Sequence, residues 1–172
     1  VVMKRSGRTL KQRLQDLSYL PSYISRARYF RGHGVHSPYV YRIVRQVFMQ
    51  RKLYDAQSAI FPALRERGIA ERRCTEIANL MTVCEYGGWV VDTMSQADII
   101  IATLDTRYPQ LEEYAAYARS VGATLCIMNP YDNRERWAVC QRIIDAHPST
   151  TVDNRAYLLI FNNHLPKQRF RL

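Results

Sequence analysis

The sequence lacks any run of about 18 consecutive apolar residues, which is the length that a membrane-spanning helix needs. Its basic start, residues 1–11, is not followed by an apolar stretch of the kind found in signal peptides. We therefore expect a soluble, cytoplasmic protein without a membrane partner. At 172 residues, 47% of them hydrophobic, the chain is long enough to bury one core and to carry a small helical extension.

Paired cysteine motifs are also missing. The sequence has no C-x-x-C pair and no histidine close to a cysteine. The four cysteines lie within apolar, periodic segments, at Cys74, Cys84, Cys126 and Cys140. In such surroundings cysteine usually behaves as a small hydrophobic residue. We therefore favour reduced, buried thiols over a metal-binding or redox role.

Acidic residues are scarce in the first part of the chain. Residues 1–73 contain 16 Lys and Arg against 4 Asp and Glu, a net charge of +12, whereas residues 74–172 contain 9 against 11, a net charge of −2. Arginines interleaved with tyrosines are suited to contact phosphates and to stack on bases of a nucleic acid or another polyanion. The alternative, which we favour, is a solvated helical surface or one that docks on an acidic partner. The candidate contact residues are Arg26, Arg28, Arg31, Arg42 and Arg45.

Helical spacing of apolar residues predicts four or five helices in residues 1–86, a basic helical N-terminal region. Two of these helices are expected before Gly32. Ser37 and Pro38 then predict the N-cap and the first position of a third helix. A further helix is expected from about residue 71 to residue 86.

Beyond residue 86 the pattern alternates between strands and helices. Short apolar runs predict strands at residues 89–91, 97–104, 123–128, 150–152 and 157–161. Helices are predicted at residues 109–122 and 133–147. This order implies parallel pairing with right-handed crossovers and a closing antiparallel hairpin, and therefore an α/β domain.

Separate blocks along the chain resemble a bacterial family of class I S-adenosylmethionine-dependent methyltransferase-like proteins. The blocks are Gly32-His33-Gly34-Val35-His36-Ser37-Pro38-Tyr39-Val40-Tyr41, the strand end at Asp105, the helix with Trp137, the His147-Pro148 break before Thr-Thr-Val-Asp, and residues 167–172. They cover most of the chain, and the first and last are the most specific. The resemblance implies a Rossmann-like sheet whose last two strands form an antiparallel hairpin.

Two features of that family are not evident in this chain. One is the glycine-rich loop after the first strand, which holds the methionine part of the cofactor, and the other is the acidic residue after the second strand, which holds the ribose. Gly87 and Gly88 precede a strand instead of following it, and only four residues separate Asp92 from Ala97. Gly87, Gly88 and Asp92 are therefore weak candidates for cofactor binding.

The short spacing between Asp92 and Ala97 also limits how the strand at residues 89–92 can pair with the next strand. Since a parallel crossover needs about a dozen residues, we expect residues 89–92 to pair antiparallel with the next strand or to form another kind of sheet edge. Residues 87–172 would then be a truncated methyltransferase-like α/β domain that has lost its cofactor-binding half. Such a sheet would expose an edge that a homodimer mate or a protein partner could cover.

For an active methyltransferase, the candidate catalytic residues are Asp105, Asn129, His33 and His36. The resemblance places Asp105 at the fourth strand's end, where the family has an acidic residue that faces the substrate. Asn129, followed by proline, would align an acceptor nitrogen, and a histidine or Asp105 would remove its proton. The alternative for Asp105, which we favour, is a role in a turn or a helix cap.

The histidines also allow a structural interpretation. A spacing of three could bind a metal ion or transfer protons near neutral pH, but no carboxylate or cysteine lies within several residues of His33 and His36. We favour a tight turn shaped by Gly32 and Gly34, and we predict no metal site. The function that we predict is a degenerate methyltransferase-like protein without a cofactor that acts as a binding or assembly module. The alternatives are an S-adenosylmethionine-dependent methyltransferase with an atypical pocket, or nucleic-acid binding through the basic N-terminal region.

Overall fold

The computed structural model describes residues 35–172, which form an α/β structure with one mixed sheet. The helices expected before Gly32 lie outside these residues, as do His33, Arg26, Arg28 and Arg31. The described helices are α1 (Pro38–Ile43), α2 (Ile60–Glu66), α3 (Glu71–Val83), α4 (Leu111–Val121) and α5 (Arg134–Ala146). A π-helical turn (Val44–Phe48) extends α1, and a 3₁₀ turn (Tyr108–Gln110) precedes α4. The strands are β1 (Trp89–Val91), β2 (Ile99–Ala102), β3 (Thr124–Met128), β4 (Thr151–Asp153), β5 (Tyr157–Ile160) and β6 (Arg169–Arg171).

Local signals in the sequence explain where several helices begin and end. The Ser37 hydroxyl accepts a hydrogen bond from the N–H of Val40 at 3.3 Å, and Pro38 is the first helical residue of α1. At α5 the Asn133 side chain accepts from the N–H of Arg136 at 2.7 Å. Gly122 ends α4 with a φ of 72°, a left-handed conformation that glycine adopts at little cost. These boundaries confirm the predictions for the three helices.

The sheet has the strand order β1-β2-β3-β5-β4-β6. Strands β1, β2 and β3 run parallel, and β5 lies antiparallel between β3 and β4. The predicted hairpin is therefore present, and its second strand lies next to β3. β6 pairs in parallel with β4, with Thr151 opposite Arg169.

The parallel pairing of β1 with β2 corrects one expectation. Trp89 lies opposite Ile99 and Val91 opposite Ile101, so the antiparallel option for residues 89–92 was wrong. Because β1 has only three residues, the chain returns over about 10 Å, and the seven residues 92–98 can span about 23 Å when extended. A short loop is sufficient when the strand is this short. β1 does form one edge of the sheet.

The two faces of the sheet have separate cores. Ile99 and Ile101 of β2 pack with α1, α2 and α3, whereas Ile100 and Ala102 pack with α4 and α5. This alternation follows from the two-residue period of a strand and gives three layers, with the sheet in the middle. The domain boundary predicted at residues 86 and 87 lies between α3 and β1 and stays a prediction. No helix in residues 35–172 is long and apolar enough to cross a membrane.

The polar side chains buried on α3 include Asn79 and Glu76. The Asn79 side chain accepts from the N–H of Tyr54 and donates to the carbonyl of Lys52, both at 2.9 Å, so it fixes the loop between the π-helical turn and α2. Glu76, only 1% exposed, binds the guanidinium groups of Arg72 and Arg73. Both polar groups are therefore satisfied within the protein, as buried polar groups generally are.

Candidate functional site

The candidate site lies where the parallel strands β1, β2 and β3 end. In open α/β sheets ligands generally bind beyond the carboxyl ends of parallel strands. In this chain Asp92 follows β1, residues 103–106 follow β2, and residues 129–133 follow β3 and lead into α5.

Asp92 connects the ends of β1 and β2. Its φ of 51° turns the chain sharply out of β1. The carboxylate accepts hydrogen bonds from the N–H and the hydroxyl of Thr103, both at 2.7 Å, and from the hydroxyl of Thr106 at 2.5 Å. Arg67 adds an ion pair at 3.5 Å. Both carboxylate oxygens are therefore occupied by groups of the protein itself.

Gly87 and Gly88 are held in a similar way. Their N–H groups both donate to the same oxygen of Asp98, each at 2.8 Å. Neither residue has a positive φ, and a Cβ atom on Gly88 would be 3.7 Å from its nearest neighbours, an ordinary contact. The pair therefore forms a turn closed by Asp98, and its amides are already bound.

Arg136 on α5 joins the ends of β2 and β3. The side chain is 2% exposed and donates to the carbonyl oxygens of Thr103, Thr106 and Met128, each at 3.0 Å. The Nε atom is buried and has no hydrogen-bond partner among the described residues. Burial lowers the pKa of Arg136, while the nearby Cys140, Asp132 and Asp92 raise it.

Sequence reasoning did not select Arg136. A usable signal was present. Arg136, Val139, Cys140 and Ile143 are spaced as one helical face, and all four are buried. An arginine on an otherwise apolar face predicts a buried guanidinium with carbonyl partners.

A cleft of about 410 Å³ opens beside Arg136, between the β2–α4 loop and the beginning of α5. Its lining residues are Leu104, Thr106, Arg107, Tyr108, Pro109, Asp132, Asn133 and Arg136. Leu104 is 49% and Tyr108 40% exposed, so both present apolar surface to the solvent. The cleft therefore combines apolar walls with two guanidinium groups and the N-terminus of a helix.

A second link crosses the ends of β3 and β4. The Tyr131 ring stacks on Trp137, with 4.2 Å between ring centroids, and its hydroxyl donates to the carboxylate of Asp153. Tyr131 therefore connects α5 with the end of β4, and sequence reasoning did not select this residue.

Of the predicted catalytic residues, Asp105 and Asn129 lie at the same strand ends but outside the cleft lining. Asp105 is exposed, and its N–H donates to the hydroxyl of Thr103 at 3.1 Å. Asn129, also exposed, has a φ of 47°, and its N–H donates to the carbonyl of Ala156, beside the end of the β3–β5 ladder, at 2.8 Å. His36 is exposed just before α1, on the opposite face of the sheet from α4 and α5. The structure thus does not bring His36 to the two strand-end residues.

The exposed arginines of the first described helix form a different surface. Arg42 lies over the ring of Tyr39, with its guanidinium carbon 6.0 Å from the ring centroid. Arg45 is exposed and contacts the sulfur of Met49 at 3.6 Å. In residues 35–172 neither arginine forms an ion pair, and the same residues contain no group of three or more His, Cys, Asp or Glu placed to hold a metal ion.

A comparison of the chain with protein-family models, with curated proteins and with solved structures finds no match.

Proposed function

We propose that this chain is a methyltransferase-like α/β protein that acts as a binding module and does not use S-adenosylmethionine. The observation that carries the proposal is the occupation of the candidate cofactor groups. Asp92 already accepts three hydrogen bonds from Thr103 and Thr106, and the amides of Gly87 and Gly88 already bind Asp98. A ribose or a methionine carboxylate would have to displace these partners, at about 1 kcal/mol for each neutral hydrogen bond and more for those to a charged group.

The sheet supports the methyltransferase-like part of the proposal. The resemblance implies a last pair of strands in an antiparallel hairpin, and β4 and β5 pair in this way. The connection from β2 through α4 to β3 is a parallel crossover unit, as the same resemblance implies. In the described chain, β2 is preceded by the three-residue strand β1 and a short loop. No glycine-rich turn lies between β1 and β2.

The test is calorimetric titration of the folded protein with S-adenosylmethionine at low salt. We expect no heat of binding at millimolar ligand, with thermal unfolding recorded on the same sample to show that it is folded. Binding in the micromolar range, about −8 kcal/mol at 1 μM, would overturn the proposal and restore the enzyme alternative. In that event Asp92→Asn should weaken binding if Asp92 holds the ribose, whereas Asp105→Asn should leave the affinity unchanged.

A second candidate, binding of a nucleic acid or another polyanion, is favoured by one observation on α1. Arg42 and Arg45 are exposed and have no carboxylate partner within residues 35–172. The test is fluorescence anisotropy with a labelled single-stranded RNA at several salt concentrations. If both arginines contact phosphates, replacing them with glutamine should reduce the slope of log K against log salt by about 1.4. Arg119→Gln, an exposed arginine on α4, is the matched control. An unchanged slope in the double variant would count against this surface.

We also propose that a partner strand can assemble at the β1 edge of the sheet. β1 pairs with β2 alone among the described strands, so the outward backbone groups of Trp89 and Val91 have no strand partner there. A partner strand at this edge would require association in solution. Sedimentation at several protein concentrations tests it, because a strictly monomeric, concentration-independent value would contradict a homodimer.

A further inference from the structure

Three sources of positive potential meet at the cleft beside α5. The N–H groups of Arg134 and Glu135, the first two of a 13-residue helix, have no acceptor within that helix, and the helix dipole adds partial positive charge. Arg107 is exposed on the cleft wall. Arg136 lines the same cleft and is almost completely buried.

Arg136 is the observation that points to a ligand rather than to a helix end alone. Its three hydrogen bonds go to neutral carbonyl oxygens, and within residues 35–172 it forms no ion pair. A guanidinium stays protonated in proteins, so a buried positive charge is left without a carboxylate in contact. Its Nε atom is a buried donor with no partner among the described residues. An anion bound in the cleft would offset that charge.

Carboxylates near the start of α5 act against anion binding, and they include Glu135 in the first turn of the helix. Asp132 lines the cleft as well, and its carboxylate accepts a hydrogen bond from the Asn133 side chain at 3.1 Å. Its negative charge stands just before the helix and partly cancels the local positive potential. The size of this opposing effect can be measured, because Asp132 is exposed and its replacement by asparagine preserves its shape.

The apolar walls of the cleft limit which class of ligand fits it. Leu104, Tyr108 and Pro109 present apolar surface to the cleft, which at about 410 Å³ is larger than an isolated phosphate or carboxylate requires. We infer that this cleft binds a small molecule that carries an oxyanion group, a phosphate or a carboxylate, on a flat apolar body. The oxyanion lies at the start of α5 near Arg136, and the apolar part lies against Tyr108 and Leu104.

This inference does not depend on the absence of S-adenosylmethionine binding. The cleft is lined by residues other than Asp92, Gly87 and Gly88, so the calorimetric test of the cofactor and the test of the cleft can fail separately.

The test uses nuclear magnetic resonance of the full ¹⁵N-labelled chain, including the arginine Nε–H signals. The probes are phenyl phosphate and phenylacetate, which combine a ring with an anion, inorganic phosphate, which has the anion alone, and phenol, which has the ring alone. We expect phenyl phosphate or phenylacetate to shift the Nε–H signal of Arg136 and the amides of Arg134 and Glu135 at millimolar concentration. Inorganic phosphate should bind more weakly, and phenol should leave these signals unchanged. The tighter of the two ring-bearing anions identifies the preferred oxyanion.

Charge variants then test the placement of the anion. Arg107→Gln should weaken phenyl phosphate binding, and Asp132→Asn should strengthen it, each by about two- to fivefold, the range expected for exposed charges. Arg119→Gln removes the same charge at the far end of α4 and should have no effect. The inference is overturned if phenol shifts the signals as phenyl phosphate does, if the anions shift Arg42 and Arg45 instead, or if Arg119→Gln weakens binding as much as Arg107→Gln.

Discussion

Arg73 and Glu76, one turn apart on α3, are joined by two hydrogen bonds of 2.8 and 2.7 Å from a single guanidinium nitrogen. Glu76 is 1% exposed, whereas the Arg73 side chain is 31% exposed and covers it from the solvent side. A buried carboxylate that loses its partner remains desolvated and uncompensated. The stability of α3 against the sheet therefore depends on Arg73 more than its exposure suggests.

We predict that Arg73→Gln lowers the free energy of unfolding by about 2 kcal/mol, less than for a fully buried pair because Arg72 still binds Glu76. Arg72→Gln is the matched control. Since 60% of that side chain is exposed, its loss should cost less than about 1 kcal/mol. Urea unfolding of the two variants measures the difference, and equal effects would show that Glu76 depends on Arg73 no more than on Arg72.

Replacing Asp92 should release the ends of β1 and β2 from each other. Asp92→Ala leaves three donors of Thr103 and Thr106 without their acceptor, and we expect a loss of about 2–3 kcal/mol in the free energy of unfolding. Asp92→Asn should lose less, because asparagine keeps one oxygen acceptor and tolerates a positive φ. The control Asp105→Ala removes an exposed carboxylate from the same edge and should change stability by no more than about 0.5 kcal/mol. A comparable loss in both alanine variants would mean that the network around Asp92 contributes little.

His147 should make the protein less stable in mild acid. Burial lowers the pKa of His147 below its ordinary value, although its hydrogen bond to the carbonyl of Phe161 acts in the opposite direction. As the pH falls below about 6.5, His147 is protonated in the unfolded chain before it is protonated in the folded chain. The unfolded state is therefore increasingly favoured until the pH passes the pKa of His147 in the folded chain. The stability that neutral His147 provides is thus present above about pH 6.5 and is lost below it.

Urea midpoints measured from about pH 7 down to about pH 5.5 check this slope. His147→Gln should reduce the acid-induced decrease relative to the unsubstituted protein, and His164→Gln, at an exposed histidine, should retain it. An identical slope in all three proteins would assign the acid sensitivity to other groups.

The thiols should react slowly while the protein is folded. Burial raises the pKa of Cys126 and raises that of Cys140 to about 12, so neither forms the reactive thiolate near neutral pH. Cys84 is only half-buried and lies 3.5 Å from the hydroxyl of Tyr39. We expect Cys84 to be alkylated first, and the others only on unfolding. Mass spectrometry after timed alkylation tests the order, and early modification of Cys126 would contradict the packing described.

Much of the fold could be predicted because its signals are local. Apolar runs identified β2, β3 and β5, and the cap at Ser37 identified the start of α1. The pairing of β1 was missed because the rule for crossover length assumes strands of ordinary length. β6 was missed because Phe170 is its only apolar residue, so no alternating pattern marks it.

The candidate site was harder to predict for a related reason. Asp92 binds residues 11 and 14 positions further along the chain, and Arg136 binds carbonyl groups up to 33 positions before it. Backbone carbonyls carry no residue-specific signal, so partners of this kind become visible only in three dimensions. Asp105 and Asn129 both follow predicted strands, and they lie after β2 and β3 in the structure, while their catalytic role stays a prediction.

The position of β6 limits how well the C-terminus of the chain is protected from solvent exchange. Among the strands of residues 35–172, β6 pairs with β4 alone, and β4 is joined to the rest of the sheet only through β5. Any opening that separates β4 from β5 also detaches β6 from the sheet, whereas β6 can leave without disturbing either strand. The ladder amides of residues 169–171 should therefore exchange with deuterium at least as fast as those of β4, and faster than those of β3 and β5.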